Sequence, residues 1–180
     1  RKLIKEGHTI EFFIEGGRSR TGKVLQPRFG ILTNVVDAVL TGGAREVTVV
    51  PISITYDRII EAGAYSREIS GGDKKSEDMG GVLRSAQVLD SRYGTIYITG
   101  GTPIRIREFI EGESGGNLDL TPEQHRYLIK KLGYGILGRI NRAAVVTPSA
   151  LAALVLLSHL RRGISETQFT FTLGFLIRFV

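Results

Sequence analysis

The sequence predicts an α/β fold, a mixed or mostly parallel sheet flanked by helices, with a helical C-terminal extension. Short apolar runs alternate with helical periodicity over the first two thirds of the chain, and helix-start signals fill the last third. At 180 residues and 42% hydrophobic composition, the chain can bury one sizeable core. We therefore divide it into residues 1–115, an α/β core, and residues 116–180, a helical extension.

The first half of the chain contains two predicted strands around one helix. Residues 9–14 form a short apolar run that predicts a strand. Residues 31–40 repeat apolar side chains on one helical face, and a pair of glycines ends that helix. Residues 47–55 are rich in β-branched side chains and predict a buried strand. Within it, Pro51 indicates a bulge or an edge, because proline cannot donate to a ladder.

The middle of the chain changes composition abruptly. Residues 70–81 are polar and rich in glycine, which predicts an exposed loop. This loop is either a solvated connector or a mobile flap over a site. A helix over residues 82–91 and a strand over residues 95–99 are predicted to follow.

The last third is predicted to be helical. Thr121 and Gln124 form a capping-box variant before a helix that runs to about residue 141. Residues 149–161 are apolar nearly all round, and residues 169–180 form a shorter apolar segment. A helix over residues 149–161 reaches only about 20 Å, less than the ~30 Å hydrocarbon core of a bilayer. We expect these segments to be buried against the rest of a longer protein, or to contact a membrane interface.

Charge and composition indicate which classes of partner the chain is expected to bind. The net charge of +6 and the pI of 9.8 favour anions: phosphate esters, coenzyme A, an acidic carrier protein or an anionic membrane surface. The cations are dispersed and no nucleic-acid-binding motif is present, so we expect no nucleic-acid partner. The absence of cysteine excludes disulfides and thiol-ligated metal and suits a cytoplasmic compartment. No residue pattern predicts a metal or a cofactor.

One segment concentrates the chemistry that recognises phosphate. Glycines let the backbone turn and bring its N–H groups near a ligand, arginine offers a planar fork of donors, and lysine adds a point charge. A solvated turn is the alternative interpretation of the same residues. The segment comprises Glu15, Gly16, Gly17, Arg18, Ser19, Arg20, Thr21, Gly22 and Lys23.

A nucleotide-binding P-loop is a near match to this segment. Gly17, Gly22 and Lys23 have its spacing, and its backbone amides and lysine would cradle phosphates. Val24, however, occupies the place of the serine or threonine that binds magnesium. Pro27 would lie in the first turns of the helix that a P-loop requires. The match therefore fails at the residue that binds the metal.

A better match is to the glycerol-3-phosphate acyltransferases. Residues 13–23 resemble the third conserved block of that family, close to its bacterial membrane type, and residues 50–57 resemble the fourth. Residues 63–77 and 97–103 resemble further family segments. The resemblance covers at least residues 7–110, and its third block is the specific part.

The family's catalytic His-x4-Asp block is absent from this chain. None of His8, His125 and His159 has an aspartate at that spacing. The family places this block upstream, so we expect a fragment that is inactive by itself, with no catalytic residue of its own. The resemblance implies that residues 1–115 are the C-terminal part of the acyltransferase α/β core and that the extension over residues 116–180 is truncated at its end. From their positions, His8 is expected to be structural, His125 exposed on a first helical turn, and His159 near a helix C-terminus.

The resemblance implies transfer of an acyl group from acyl-CoA or acyl-carrier protein to the 1-hydroxyl of glycerol 3-phosphate. Dihydroxyacetone phosphate is an alternative acceptor. The family setting implies the cytoplasmic face of the bacterial inner membrane, in contact with the membrane surface. A P-loop nucleotide-binding domain and a non-catalytic module that binds anionic membranes are the competing hypotheses.

By the same resemblance, nine residues are implied to bind substrate. Arg18 is assigned to the phosphate, with Arg20 and Lys23 as weaker electrostatic partners. Glu15 holds either a glycerol hydroxyl or the loop itself, through backbone N–H groups. Gly16 and Gly17 permit the turn, and Pro51 and Ser53 line the pocket. The full set is Glu15, Gly16, Gly17, Arg18, Ser19, Arg20, Lys23, Pro51 and Ser53.

Overall fold

The computed structural model describes residues 2–17, 23–44, 46–57, 94–160 and 163–180. Within these ranges the chain forms helices and short strands. The helices are α1 (Lys2–Lys5), α2 (Gly30–Leu40), α3 (Ile106–Ser114), α4 (Pro122–Ala143), α5 (Pro148–Ser158) and α6 (Glu166–Ile177). The strands are β1 (Thr48–Val49), β2 (Ile52–Tyr56), β3 (Ile96–Gly100) and β4 (Ile104–Arg105).

The contacts of the chain cluster into two compact units. One comprises Arg1–Ser53 and Ile98–Ala143, and the other comprises Ile54–Tyr97 and Ala144–Val180. The proposed division of the chain at residue 115 stays a prediction.

The core of the first unit lies between α2, α3 and α4. Leu32 and Val36 of α2, Ile110 of α3 and Leu132 of α4 are completely buried in it. Since these side chains recur three or four positions apart on their helices, each helix buries one apolar stripe. The helix predicted over residues 31–40 is confirmed by α2.

Helix α4 begins where its capping box predicts. The Gln124 N–H donates to Thr121 Oγ1 at 3.3 Å, and the Thr121 N–H donates to Gln124 Oε1 at 2.9 Å. These reciprocal bonds satisfy two backbone donors at the helix start. The helix ends at Ala143, two residues beyond the predicted end.

The described strands form two antiparallel pairs. β1 pairs with β4 in antiparallel register, and β2 pairs with β3. The Gly101 N–H donates to the Pro51 carbonyl at 2.8 Å, and the Asp57 N–H donates to the Thr95 carbonyl at 3.1 Å. Residue numbers that rise on one strand while they fall on the other make this second pair antiparallel as well. The structure is thus a mixture of helices and small antiparallel sheets, and the predicted parallel strands are not confirmed in the described ranges.

Two strand predictions need correction. Residues 9–14 form no strand, because an apolar run without a ladder partner does not make one. The strand predicted over residues 47–55 divides at Pro51 into β1 and β2, which pair with different partners. It is also not a buried strand, since Ile52 and Ile54 are half-exposed whereas Ser53 is buried. The interruption at Pro51 and the strand predicted over residues 95–99 are confirmed.

Helices α5 and α6 pack against each other in the second unit. Thr147 caps α5 by accepting from the Ala150 N–H at 3.2 Å, and Ser165 caps α6 by accepting from the Gln168 N–H at 3.3 Å. α5 ends at Ser158, before the predicted residue 161, and α6 begins before the predicted residue 169.

No single helix in the described ranges is long and apolar enough to cross a membrane. Helices α4 and α5 meet that test of length and composition only when they are counted together. The predicted loop over residues 70–81, the helix over residues 82–91 and the family-like segment over residues 63–77 lie outside the described residues.

Candidate phosphate-binding site

The glycine–cation segment belongs to a loop that is closed at its base. The Arg28 N–H donates to the Ile14 carbonyl at 2.7 Å. One residue further in, the Leu25 N–H donates to Glu15 Oε2 at 2.6 Å. A bond to an ionised carboxylate is stronger than one between neutral groups. We call these two bonds the loop neck; they bring the two ends of residues 15–27 together.

The neck gives Glu15 a defined position. Sequence reasoning left two roles for this carboxylate, a glycerol hydroxyl or the loop backbone. Its Oε2 accepts a hydrogen bond from the Leu25 N–H, so Glu15 contacts the loop backbone. Whether substrate also reaches Glu15 stays a prediction.

Gly16 makes the turn that starts the loop. Its N–H donates to the Phe13 carbonyl at 3.0 Å, and its φ of +65° lies in the left-handed region. A Cβ at this position would lie 2.7 Å from Arg28 Cγ, closer than real side chains approach. Gly17 is different, since a Cβ there would meet nothing within 4 Å. The turn therefore requires glycine at residue 16 for both conformation and space.

The cations themselves are only partly described. Lys23 is exposed, as a group that meets a dissolved anion must be. Arg18, Ser19 and Arg20 lie outside the described residues, so their assignment to the phosphate stays a prediction.

The segment that follows the loop excludes a P-loop architecture. In a P-loop the helix begins at the lysine of the motif, and its N-terminus faces the phosphates. Here residues 23–29 are not helical, and α2 begins at Gly30. The missing hydroxyl at Val24 and the missing helix start therefore agree in rejecting nucleotide binding of this type.

The chain that leaves the loop packs against α4. Pro27 is buried, and Phe29 is half-buried with its ring edge toward Tyr134 at 6.5 Å between centroids. Gly133 leaves the space for both: a Cβ there would lie 2.9 Å from Phe29 Cε1 and 3.3 Å from Pro27 Cβ. Sequence reasoning missed Gly133, although an isolated glycine inside a helical pattern often has a packing reason.

The two residues predicted to line the pocket, Pro51 and Ser53, are buried rather than open. Pro51 is fully buried and Ser53 is 7% exposed, so neither presents its side chain freely to solvent. The Pro51 carbonyl accepts from Gly101, and a Cβ at Gly101 would lie 3.1 Å from the Arg139 carbonyl oxygen. Arg139 Nη1 also donates to the carbonyls of Thr102 at 3.4 Å and Pro103 at 3.3 Å. The role of Pro51 and Ser53 in lining a pocket stays a prediction.

The histidines have partners that the sequence did not indicate. His125 was predicted to be exposed, and this is wrong: its ring is one quarter exposed and its Nε2 lies 2.8 Å from Asp37 Oδ1. This contact joins α4 to α2. His159 lies at the end of α5, as predicted, with its Nε2 2.8 Å from the Gly163 carbonyl oxygen. His8 lies 3.6 Å from a carboxylate oxygen of Glu6.

A second polar contact fastens α4 to α3. Lys131 Nζ donates to Glu113 Oε2, and this acceptor raises the pKa of Lys131 above its ordinary value. Both contacts hold α4 in register with its neighbours. Among the described residues, no three potential metal ligands come together to hold an ion.

Comparisons with known proteins agree with the motifs. Residues 65–180 match the family model described as Glycerol-3-phosphate acyltransferase C-terminal region, and residues 1–55 match the Acyltransferase family model. A protein of Colwellia psychrerythraea named glycerol-3-phosphate acyltransferase is 32% identical over 182 residues, with 97% of this chain and 22% of the relative covered. A protein of the same name from Pseudomonas putida is 33% identical over 174 residues, covering 93% of this chain and 21% of the relative.

A third protein of this name, from Pseudomonas syringae, is 33% identical over 170 residues, covering 91% of this chain and 20% of the relative. The chain thus spans about a fifth of the length of the curated relatives it matches.

Proposed function

Since this chain belongs to the glycerol-3-phosphate acyltransferase C-terminal region family, we propose that the protein containing it acylates glycerol 3-phosphate. The 1-hydroxyl oxygen attacks the thioester carbonyl of acyl-CoA or acyl-carrier protein, the carbon–sulfur bond breaks, and lysophosphatidate and a free thiol form. The hydroxyl proton goes to a base, which in this proposal is the histidine of a His-x4-Asp block outside this chain. This chain then supplies the phosphate-binding half of the site.

The closed loop at residues 15–27 is the observation that carries the proposal. In the sequence three cations follow the glycine turn, and the neck joins the two ends of the segment that contains them. A glycerol phosphate carries its charge at one end, so in this proposal the cations hold that end while the 1-hydroxyl stays free. Arg18 contacts the phosphate in this proposal, Arg20 and Lys23 add positive potential, and Ser19 donates a hydrogen bond.

A comparison of acceptors tests this role. The full-length protein is offered glycerol 3-phosphate, dihydroxyacetone phosphate and glycerol, each with palmitoyl-CoA. We expect acylation of a phosphate-bearing acceptor and none of glycerol, because only the phosphate engages the cationic loop. Equal acylation of glycerol would show that the loop does not select the acceptor.

We also propose that the protein acts at the cytoplasmic face of the bacterial inner membrane. Leu157 on α5 and Phe171 on α6 are 85% and 77% exposed, and the chain carries a net charge of +6. Exposed apolar side chains together with positive charge favour the interface of an anionic membrane. In the same proposal, the strands of this chain belong to a mixed or mostly parallel sheet of the larger protein.

Vesicle binding tests the membrane proposal. The double variant Leu157→Glu/Phe171→Glu is expected to reduce partition into phosphatidylglycerol vesicles at least about tenfold, because two apolar contacts are lost and two negative charges are added. Leu3→Glu, at a half-exposed residue outside α5 and α6, is the control and is expected to reduce partition much less. Equal partition of the double variant and the control would mean that other parts of the protein cover α5 and α6.

A further inference from the structure

The contacts of α4 suggest a task beyond filling the core. Gly133 lies in the interior of this 22-residue helix and is buried. Glycine in a helix interior is unfavourable relative to alanine, so its presence there requires a reason. The reason is spatial: Phe29 and Pro27 occupy the volume that a Cβ would fill, at 2.9 and 3.3 Å. We call this space the Gly133 notch.

The residues that fill the notch flank one residue of the loop neck in sequence. Arg28, whose N–H closes the neck on Ile14, stands between the two residues that fill the notch. Proline has a fixed ring, and Phe29 is the residue that immediately precedes α2. Because Arg28 lies between Pro27 and Phe29, a displacement of these two residues also moves the Arg28 N–H, which closes the loop neck.

Glycines elsewhere on the same helix show that the notch is specific. A Cβ at Gly135 or Gly138 would meet nothing within 4 Å. These positions tolerate alanine without displacing a neighbour. Only at Gly133, among the three glycines of α4, does the surrounding packing demand the absence of a side chain.

We propose that α4 is a positioning helix for the candidate phosphate-binding loop and acts through the Gly133 notch. This inference rests on the proposed function. Gly133 is a positioning residue in this scheme: it touches no substrate and sets the place of Pro27, Arg28 and Phe29, and through them the loop neck. The same helix carries Arg139, which contacts the turn hydrogen-bonded to Pro51, so α4 supports both family-like blocks.

The test compares Gly133→Ala with Gly135→Ala in the full-length protein. Gly133→Ala is expected to raise the KM for glycerol 3-phosphate roughly tenfold, because a misplaced binding group loses its alignment with the substrate. The KM for acyl-CoA is expected to stay close to that of Gly135→Ala, whereas the apparent melting temperature is expected to fall, because the added methyl group overpacks the notch. A general loss of folded protein would instead lower the maximal rate and leave the KM unchanged.

Hydrogen exchange gives a readout that does not depend on activity. The amides of Leu25 and Arg28 close the loop neck, so they are expected to exchange several-fold faster in Gly133→Ala than in Gly135→Ala. Equal exchange in the two variants overturns the proposal, even if the protein shows no acyl transfer. Absence of acyl transfer by the wild-type protein, with faster exchange in Gly133→Ala, overturns the proposed function alone.

A complementary variant covers the case in which Gly133→Ala does not fold. Phe29→Leu keeps an apolar side chain but withdraws the ring from the notch, and is expected to raise the same KM and the same exchange rates. In Gly133→Ala/Phe29→Leu the shorter side chain leaves room for the new methyl group, so the two effects are expected not to add. Full additivity, or an unchanged KM and exchange in Phe29→Leu, contradicts a notch-based mechanism.

Discussion

Replacing Arg18 with alanine is expected to raise the KM for glycerol 3-phosphate roughly 10- to 100-fold. A hydrogen bond to a charged group contributes about 1.5–3 kcal/mol, and about 1.4 kcal/mol corresponds to a factor of ten in an equilibrium constant. The planar guanidinium matches phosphate oxygens, so Arg18→Lys should recover only part of the loss. Steady-state kinetics of the full-length enzyme, with acyl-CoA at saturation, measure the effect.

Arg142→Ala is the matched control for Arg18. This arginine is exposed on α4, and its Nε donates to the Gly138 carbonyl of its own helix at 3.2 Å. The Arg142→Ala substitution removes the same charge from the protein without changing the loop. A KM for glycerol 3-phosphate that is unchanged in Arg18→Ala, or raised equally in Arg142→Ala, would remove Arg18 from the phosphate site.

The second large effect is expected at Gly16, and the adjacent Gly17 provides its control. Gly16→Ala forces an alanine into a left-handed conformation, which costs about 1–2 kcal/mol, and brings its methyl group against Arg28 Cγ. Arg28 closes the loop neck, so the clash should open the neck and raise the KM for glycerol 3-phosphate. Gly17→Ala has neither problem and is expected to leave the KM within about twofold of wild type.

Measuring both variants side by side separates the effect of the turn at Gly16 from the general effect of replacing a glycine with alanine. The substitutions are chemically identical and one residue apart, so a difference in KM reports the turn itself. Similar values for Gly16→Ala and Gly17→Ala would mean that the turn at Gly16 does not position the phosphate-binding residues.

Local signals in the sequence were sufficient to predict α2 and α4. The capping box at Thr121 and Gln124 and the glycines after residue 40 act within a few residues, so the sequence pattern contains them completely. The apolar side chains of α4 also repeat every three or four residues in the sequence, and Leu128, Ile129, Leu132 and Ile136 are buried.

Pairing over long separations could not be predicted in this way. The antiparallel pairing of β1 with β4 and the contact of His125 with Asp37, 88 residues away, depend on how helices and strands pack. The apolar run at residues 9–14 contains no information about a ladder partner and was mistaken for a strand. The Gly133 notch could not be predicted from the sequence, because a glycine's packing role depends on which residues face it.

In the candidate site, too, contiguous features could be predicted from the sequence, whereas contacts between separated residues could not. The family-like block at residues 13–23 was visible in the sequence because it is contiguous, and the matches to acyltransferase family models agree with it. The neck that closes the loop was not visible, since it joins Ile14 to Arg28 and Glu15 to Leu25 through backbone groups. Side-chain identity does not determine where a backbone N–H finds its acceptor.

Acylation of radiolabelled glycerol 3-phosphate by the full-length protein is the measurement that tests this account most directly. Palmitoyl-CoA is supplied in detergent or lipid, with acyl-carrier-protein donors and dihydroxyacetone phosphate tried in parallel. The account predicts radiolabelled lysophosphatidate. No acylated product with any of these donors and acceptors would contradict the proposed acyl transfer and favour a non-catalytic module that binds anionic membranes.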